Sequence, residues 1–188
     1  MIGAFWNIRG LNGPTKIPRV QELIKACSPD FICLSETKED NFTIPQLEAI
    51  DTRSGFVWNW LPAIGTAGGV LVGVKEDCFD ILQCDIGTFW ISCILKFKHN
   101  DIRWRLISVY GSAYDECKLD FLNQLNSVLA SWSGPTLVGG DFNLVRDKSE
   151  KNTGNINQHW TDLFNDWINK FCLIEIKNAG SKYTWANN

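Results

Sequence analysis

Thr136-Leu137-Val138-Gly139-Gly140-Asp141-Phe142-Asn143 sets a short apolar run directly against a carboxylate and an amide. Gly134-Pro135 punctuates the chain just before it, and the run is too short for a helix, so Thr136 to Gly139 reads as a strand. A strand buried on both faces can carry an apolar run to a layer edge and present one polar side chain there. Three other runs end in the same way: IGAFW at Asn7, FICLS at Glu36 and RLISV at Tyr110. Side chains converging from the ends of neighbouring strands would build a pocket on rigid supports.

Working outward, Ile2 to Trp6 and Phe31 to Leu34 read as strands, the second introduced by Ser28-Pro29-Asp30. Between them Thr15 to Cys27 is helical: Pro18 lies near the start, and Val20, Leu23, Ile24 and Cys27 recur at helical spacing. Phe56 to Leu61, Gly69 to Val74 and Ile81 to Cys84 are further strands. Trp90 to Phe97 and Ile102 to Tyr110 flank Lys98-His99-Asn100-Asp101 as a hairpin, with Arg103 and Arg105 alternating against Ile102, Trp104 and Leu106. Lys118 to Ser131 is an amphipathic helix. His159 to Phe171 is another, with Trp160, Leu163, Phe164, Trp167, Ile168 and Phe171 on one face. Arg146 to Gln158 is polar and reads as an exposed loop, and Lys182-Tyr183-Thr184-Trp185 reads as the start of a strand. Strands dominate without strict βα alternation. The expectation is an α+β fold: a mixed sheet, or two sheets with flanking helices in an αββα arrangement.

At 188 residues the chain suits a single domain over 1–188. Hydrophobic residues make up 45% and charged residues 21%, which excludes wholesale disorder. No apolar run is long enough to span a bilayer, and MIGAFWNIRG is not a secretory signal. A formal net charge of −3 excludes a generic basic coat but leaves room for a local basic rim. The seven cysteines form no C-x-x-C pair, so a zinc cage is not expected. Cys33, Cys93 and Cys172 sit in apolar runs and read as small buried hydrophobes, which together point to a reducing, intracellular setting, nuclear or cytoplasmic. Nine tryptophans suit either base stacking or, more simply, a Trp-rich core.

The strand-end set holds two carboxylates, two amides and a phenol, with no thiol or imidazole. Such hard oxygen ligands suit Mg²⁺, or Mn²⁺, rather than zinc or copper. Two carboxylates would leave Mg²⁺ with water positions that a phosphate oxygen can displace, which suits phosphodiester hydrolysis. Each position has a plainer reading. Asn7 could open a turn, Glu36 could be a solvated loop carboxylate or helix cap, and Tyr110 a half-buried strand aromatic. Asp141-Phe142-Asn143 could be a turn closed by its own side chains.

Taken in order, Trp6-Asn7-Ile8-Arg9-Gly10-Leu11-Asn12, Leu34-Ser35-Glu36-Thr37-Lys38, Ser108-Val109-Tyr110-Gly111-Ser112 and Gly139-Gly140-Asp141-Phe142-Asn143 resemble the endonuclease/exonuclease/phosphatase superfamily. The wording is closest to the endonuclease domain of LINE-type (non-LTR) retrotransposon polyproteins, which are related to apurinic/apyrimidinic endonucleases. Gly68-Gly69-Val70 and Tyr183-Thr184-Trp185 also fit. The resemblance implies a four-layer αββα sandwich of the DNase I-like kind. It makes Glu36 the Mg²⁺ ligand and Asn7 the amide supporting metal and phosphate. Tyr110 becomes a phosphate-contacting phenol, Asp141 the carboxylate that positions the attacking water, and Asn143 the amide stabilising the transition state. The implied reaction nicks DNA to leave a 3′ hydroxyl, which in a retrotransposon primes a downstream reverse transcriptase.

The family pattern continues past Thr184-Trp185 to a Ser-x-x-Asp element and a closing Asp-His, neither of which this sequence contains. The expectation is therefore a sandwich lacking its last strands, either a fragment of a polyprotein or a complete short gene product. Its histidines, His99 in a hairpin turn and His159 at a helix start, read as surface residues. Arg9, Lys38, Lys75, Arg146, Lys148 and Lys151 lie near the motif-bearing loops and could line a DNA phosphate track, or be ordinary surface charge. Three functions follow: a Mg²⁺-dependent DNA endonuclease domain impaired by the missing Asp-His, an inactive remnant that binds DNA or protein, or a phosphatase for small phosphoesters.

Overall fold

The run Phe31–Ser35 is buried at every position, so it must be covered on both faces. In the computed structural model, which describes residues 1–52, 55–65, 67–151 and 155–176, it is the inner strand β2 of a four-stranded sheet. Its alternate residues divide the work, because successive side chains of a strand point to opposite faces. Phe31 and Cys33 face a second sheet, while Ile32 and Leu34 pack in a separate cluster with residues of two helices.

The first sheet runs β1 (Gly3–Asn7), β2, β4 (Ala67–Lys75) and β3 (Phe56–Ile64). β1 and β2 are parallel, and the β2–β4 and β4–β3 pairs are antiparallel. The parallel step needs a crossover, supplied by α1 (Lys16–Cys27). Val20 of α1 is completely buried against Ile32, Leu34 and Leu71. Ile50 of a short helix, α2 (Ile44–Ile50), completes that layer. The second sheet runs β5 (Phe79–Ile86), β6 (Trp90–Phe97), β7 (Arg103–Tyr110) and β8 (Thr136–Asp141), with only β7 and β8 parallel. Between the sheets lie Phe31, Cys33, Val70, Val72 and Val74 from one side and Ile91, Cys93, Leu95, Trp104 and Leu106 from the other. Burying each large side chain contributes about 1.5–3 kcal/mol, and the rings of Phe31 and Trp104 meet across this layer at 5.7 Å. The fold is a mixed α+β two-sheet sandwich with helices, as the residue patterns predict.

Contacts divide the chain into two compact units. One is Met1–Tyr110 with Trp132–Asp141, holding both sheets, α1 and α2. The other is Gly111–Ser131 with the segment from Phe142 on, holding α3 (Asp115–Ala130), a turn of 3-10 helix at Lys148–Glu150, and α4 (Gln158–Lys170). Within this second unit Phe142 packs its ring against Phe121 of α3 and against Phe164 and Trp167 of α4.

Four sequence readings need correction or addition. Arg105 does not alternate outward: it is 3% exposed, because β7 is buried on both faces, and its guanidinium lies 5.5 Å from the Trp132 ring. Ile102, expected on the apolar face, is exposed at the hairpin end. Cys33 and Cys93 are buried as expected, but Cys172 is exposed, because α4 ends at Lys170 and the apolar run Phe171 to Ile174 does not continue into it. α2 was not anticipated, although Thr43-Ile44-Pro45-Gln46 carries its signal: Thr43 and Gln46 form a reciprocal capping box with Pro in the first turn. Of the eight described tryptophans, Trp104 and Trp167 are buried and the rest half-buried, in keeping with packing. The strand expected at Lys182 to Trp185 lies outside the described residues. Among the described residues no helix is long and apolar enough to cross a membrane.

Candidate active site

The C-terminal ends of two parallel strand pairs carry the candidate residues. Asn7 and Ser35 are register partners at the ends of β1 and β2, with Glu36 the next residue. Tyr110 and Asp141 are register partners at the ends of β7 and β8. Asn7 Nδ2 donates to Asp141 Oδ2 at 2.6 Å, a bond between residues 134 apart in the chain that ties the end of one sheet to the end of the other. A charge-assisted bond of this kind, half shielded from water, fixes the carboxylate's rotamer. The Tyr110 ring comes to the same edge, where a Cβ added at Gly68, near the start of β4, would lie 3.8 Å from it. The residues after Glu36 are tied to the start of β4 through the backbone, since Thr37 N donates to Gly69 O at 3.1 Å and Lys38 N to Gly68 O at 3.0 Å.

The loops that leave these strands are strained in a regular way. Arg9, Glu36 and Lys38 all have positive φ, at 54°, 57° and 60°. Non-glycine residues adopt this region rarely and at a cost of order 1–3 kcal/mol, so the surrounding bonds must over-determine it. Ile8 N donates to Ser35 O, Gly10 N to Glu36 O and Leu11 N to Thr37 O, extending the β1–β2 ladder beyond the strands. Asn7 Oδ1 accepts from Arg9 N at 3.2 Å, and Lys16 Nζ donates to Ile8 O at 2.6 Å. Gly69 sits at φ 84°, and a Cβ there would run into Thr37 Oγ1 and the Lys38 amide. At Gly140, φ 130°, a Cβ would clash with Val109 O, so its absence lets β8 close against β7 just before Asp141.

Asn143 belongs to the second unit. It has φ 49°, and its Nδ2 donates to Gly111 O at 2.8 Å, so its amide anchors this segment to backbone 32 residues away and does not close a turn within Asp141-Phe142-Asn143. Among the basic residues, Arg9 and Lys38 are exposed on the loops of this edge, with Lys38 Nζ 3.5 Å from Glu36 Oε1. Lys75 is misplaced by the sequence reading: β4 runs antiparallel to β2, so Lys75 lies at the far end of the sheet, about 20–25 Å of strand away from Gly68. Arg146, in the second unit, is tied to Asn165 at 3.1 Å and Glu175 at 2.9 Å, while Lys148 and Lys151 are exposed there. His99 lies in the β6–β7 turn, the opposite end of β7 from Tyr110, and His159 is exposed on α4, its ring 5.0 Å from Trp160. Sequence reasoning passed over Thr37, whose hydroxyl is fully buried with no hydrogen-bond partner among the described residues. Its only signal was its place directly after Glu36.

No group of three His, Cys, Asp or Glu side chains that could hold a metal occurs among the described residues. The donor set instead offers two carboxylates, Glu36 and Asp141, and the Asn7 amide at one edge. That chemistry fits a hard divalent cation that keeps several waters and is held by one or two carboxylates.

The strand ends of this two-sheet α+β sandwich thus carry two acids, Glu36 and Asp141, and one amide, Asn7. The chain belongs to the Endonuclease/Exonuclease/phosphatase family, whose sequence profile matches residues 4–188. Enzymes of this family generally use divalent metal ions. Among solved structures, it is similar to an AP endonuclease from Leishmania major at 14% identity and a TM-score of 0.69, covering 90% of this chain and 65% of that one. It is similar to an AP endonuclease from Archaeoglobus fulgidus at 17% identity and a TM-score of 0.68, covering 90% and 71%. A mannosyl-6-phosphatase from Bacteroides thetaiotaomicron shares 13% identity with a TM-score of 0.62, covering 86% and 68%. The chain thus spans less than two thirds of the Leishmania protein's length. No curated protein matches it by sequence.

Proposed function

We propose that this chain is the Mg²⁺-dependent DNA endonuclease module of a LINE-type retroelement, cutting one strand to leave a 3′ hydroxyl. The observation that carries the reading is the Asn7–Asp141 bond at 2.6 Å, which holds an acid at the edge where Glu36 and Tyr110 also end. When bound at Glu36 with support from Asn7, the cation would polarise the phosphoryl group and offset charge on the departing oxygen. Mn²⁺ would serve in the same way.

The chain's own groups do the rest. Asp141, pinned by the Asn7 amide, accepts a hydrogen bond from the attacking water and draws off its proton as the new P–O bond forms. The Tyr110 phenol holds a non-bridging phosphate oxygen. Asn143 takes its role, donating to the transition state, from the family motif alone. Arg9 and Lys38 contact the DNA backbone beside the cut. Arg146 and Lys148 take a phosphate-binding role from their place after the family motif alone. In a longer polyprotein the product hydroxyl would prime a reverse transcriptase domain.

The test is nicking of supercoiled plasmid by the purified chain in millimolar Mg²⁺, with EDTA and Glu36→Ala as controls. Nicking lost in both supports the reading, and turnover of small phosphoesters with no plasmid nicking would replace DNA by a phosphatase substrate. A second reading is a DNA- or protein-binding remnant without turnover. It predicts DNA retention that survives Asp141→Ala, and any metal-dependent nicking by the wild-type chain eliminates it.

A further inference from the structure

Away from the strand ends, two cysteines meet across the second sheet. Cys84 of β5 and Cys93 of β6 are direct register partners in the antiparallel pair. Their sulfurs lie 3.0 Å apart. Directly opposed antiparallel residues have Cα atoms about 4.5–5.5 Å apart. That falls inside the window of about 4.4–6.8 Å that disulfides span. Closing the sulfurs to a bond of about 2.05 Å needs a shift of only ~1 Å, within reach of side-chain rotation alone.

We propose that Cys84 and Cys93 form a reversible cross-strand disulfide when the protein meets a hydroperoxide. The two thiols are unequal in a way that assigns their roles. β5 is the edge strand of its sheet, and Cys84 on it is half-buried. Cys93 is wholly buried among the residues between the sheets. The register shift between Ile81 and Gln83 loosens β5 close to Cys84. The thiol of Cys93 hydrogen-bonds to Cys84 and holds it below the usual thiol range, against the opposing effects of burial and of Asp85. That same bond, together with burial, pushes Cys93 up.

Cys84 as thiolate attacks one peroxide oxygen. The O–O bond breaks, Cys84 becomes a sulfenic acid, and hydroxide leaves. Cys93 then attacks the Cys84 sulfur, the S–O bond breaks, and water departs with the Cys93 proton. Two thiols lose two electrons, and one hydrogen peroxide becomes two waters. Two other thiols compete poorly: burial pushes Cys33 up to about 12, and burial with Asp77 and Asp30 pushes Cys78 up to about 11. A disulfide of this kind in a reducing setting is transient and responsive rather than structural.

The experiment uses the whole reduced chain. It is treated with a small excess of hydrogen peroxide, quenched, denatured, alkylated and peptide-mapped without reduction. The expected result is a dominant Cys84–Cys93 linked peptide, two of the seven thiols lost, and both restored by dithiothreitol. Cys84→Ser abolishes the link and leaves Cys93 alkylated. Cys93→Ser leaves a Cys84 sulfenic acid that dimedone captures. Recovery of both residues as free thiols while Cys27 or Cys172 oxidises overturns the proposal, as does linkage of Cys93 to Cys33 in place of Cys84. The wild-type map is decisive even if a variant does not fold.

Discussion

The two sheets repeat one plan with different endings. Each has a parallel pair, β1–β2 or β7–β8, next to antiparallel neighbours, and each parallel pair ends on a candidate residue beside another. In the first sheet the ladder continues past the strands, through Gly10 and Leu11 bonded to Glu36 and Thr37, into a stiff loop with positive φ. In the second, Tyr110 and Asp141 are still register partners within the strands, and the chain then passes to another unit. One sheet offers its acid from a strained loop and the other from the strand itself. The Asn7–Asp141 bond is the link between them.

If both sheets contribute to one reaction, Glu36→Ala and Asp141→Ala should each lower plasmid nicking by about 10²–10⁴-fold. Loss on only one side would break the equivalence. In the core the sheets should depend on each other. Phe31→Ala should cost about 3–5 kcal/mol, read as a lower urea midpoint. Because Phe31 and Trp104 touch, the double alanine variant should cost less than the two losses added. Gly69→Ala tests the strained loop directly: positive φ and the crowding by Thr37 should cost about 2 kcal/mol or more. Tyr110→Phe, on the other sheet, should slow nicking about 3- to 10-fold with little change in stability. Lys38→Ala should change stability by less than ~1 kcal/mol, because its ion pair with Glu36 is partly exposed, with its effect confined to DNA affinity at low salt.

Much of this was legible in the sequence because the relevant signals are local. Apolar runs bounded by turn residues gave all eight described strands to within a few residues, and helical spacing gave α1, α3 and α4. α2 escaped because seven residues are too few for a period, though its capping box was written in Thr43 and Gln46. Arg105 was misjudged because alternation tells which residues share a face, not whether that face is covered. Lys75 was misplaced because closeness to a motif along the chain says nothing about strand direction.

From residue order alone come the apolar strands, their polar endings and the chemistry those endings can do, since each rests on side-chain type and on spacing of a few residues. Only the tertiary structure decided that Asn7 and Asp141 meet, that Glu36 and Lys38 sit on strained backbone, and that Cys84 faces Cys93. Those facts depend on strand pairing and register. These are fixed by burial of both sheets against each other, a property of the whole chain that no short window of sequence contains.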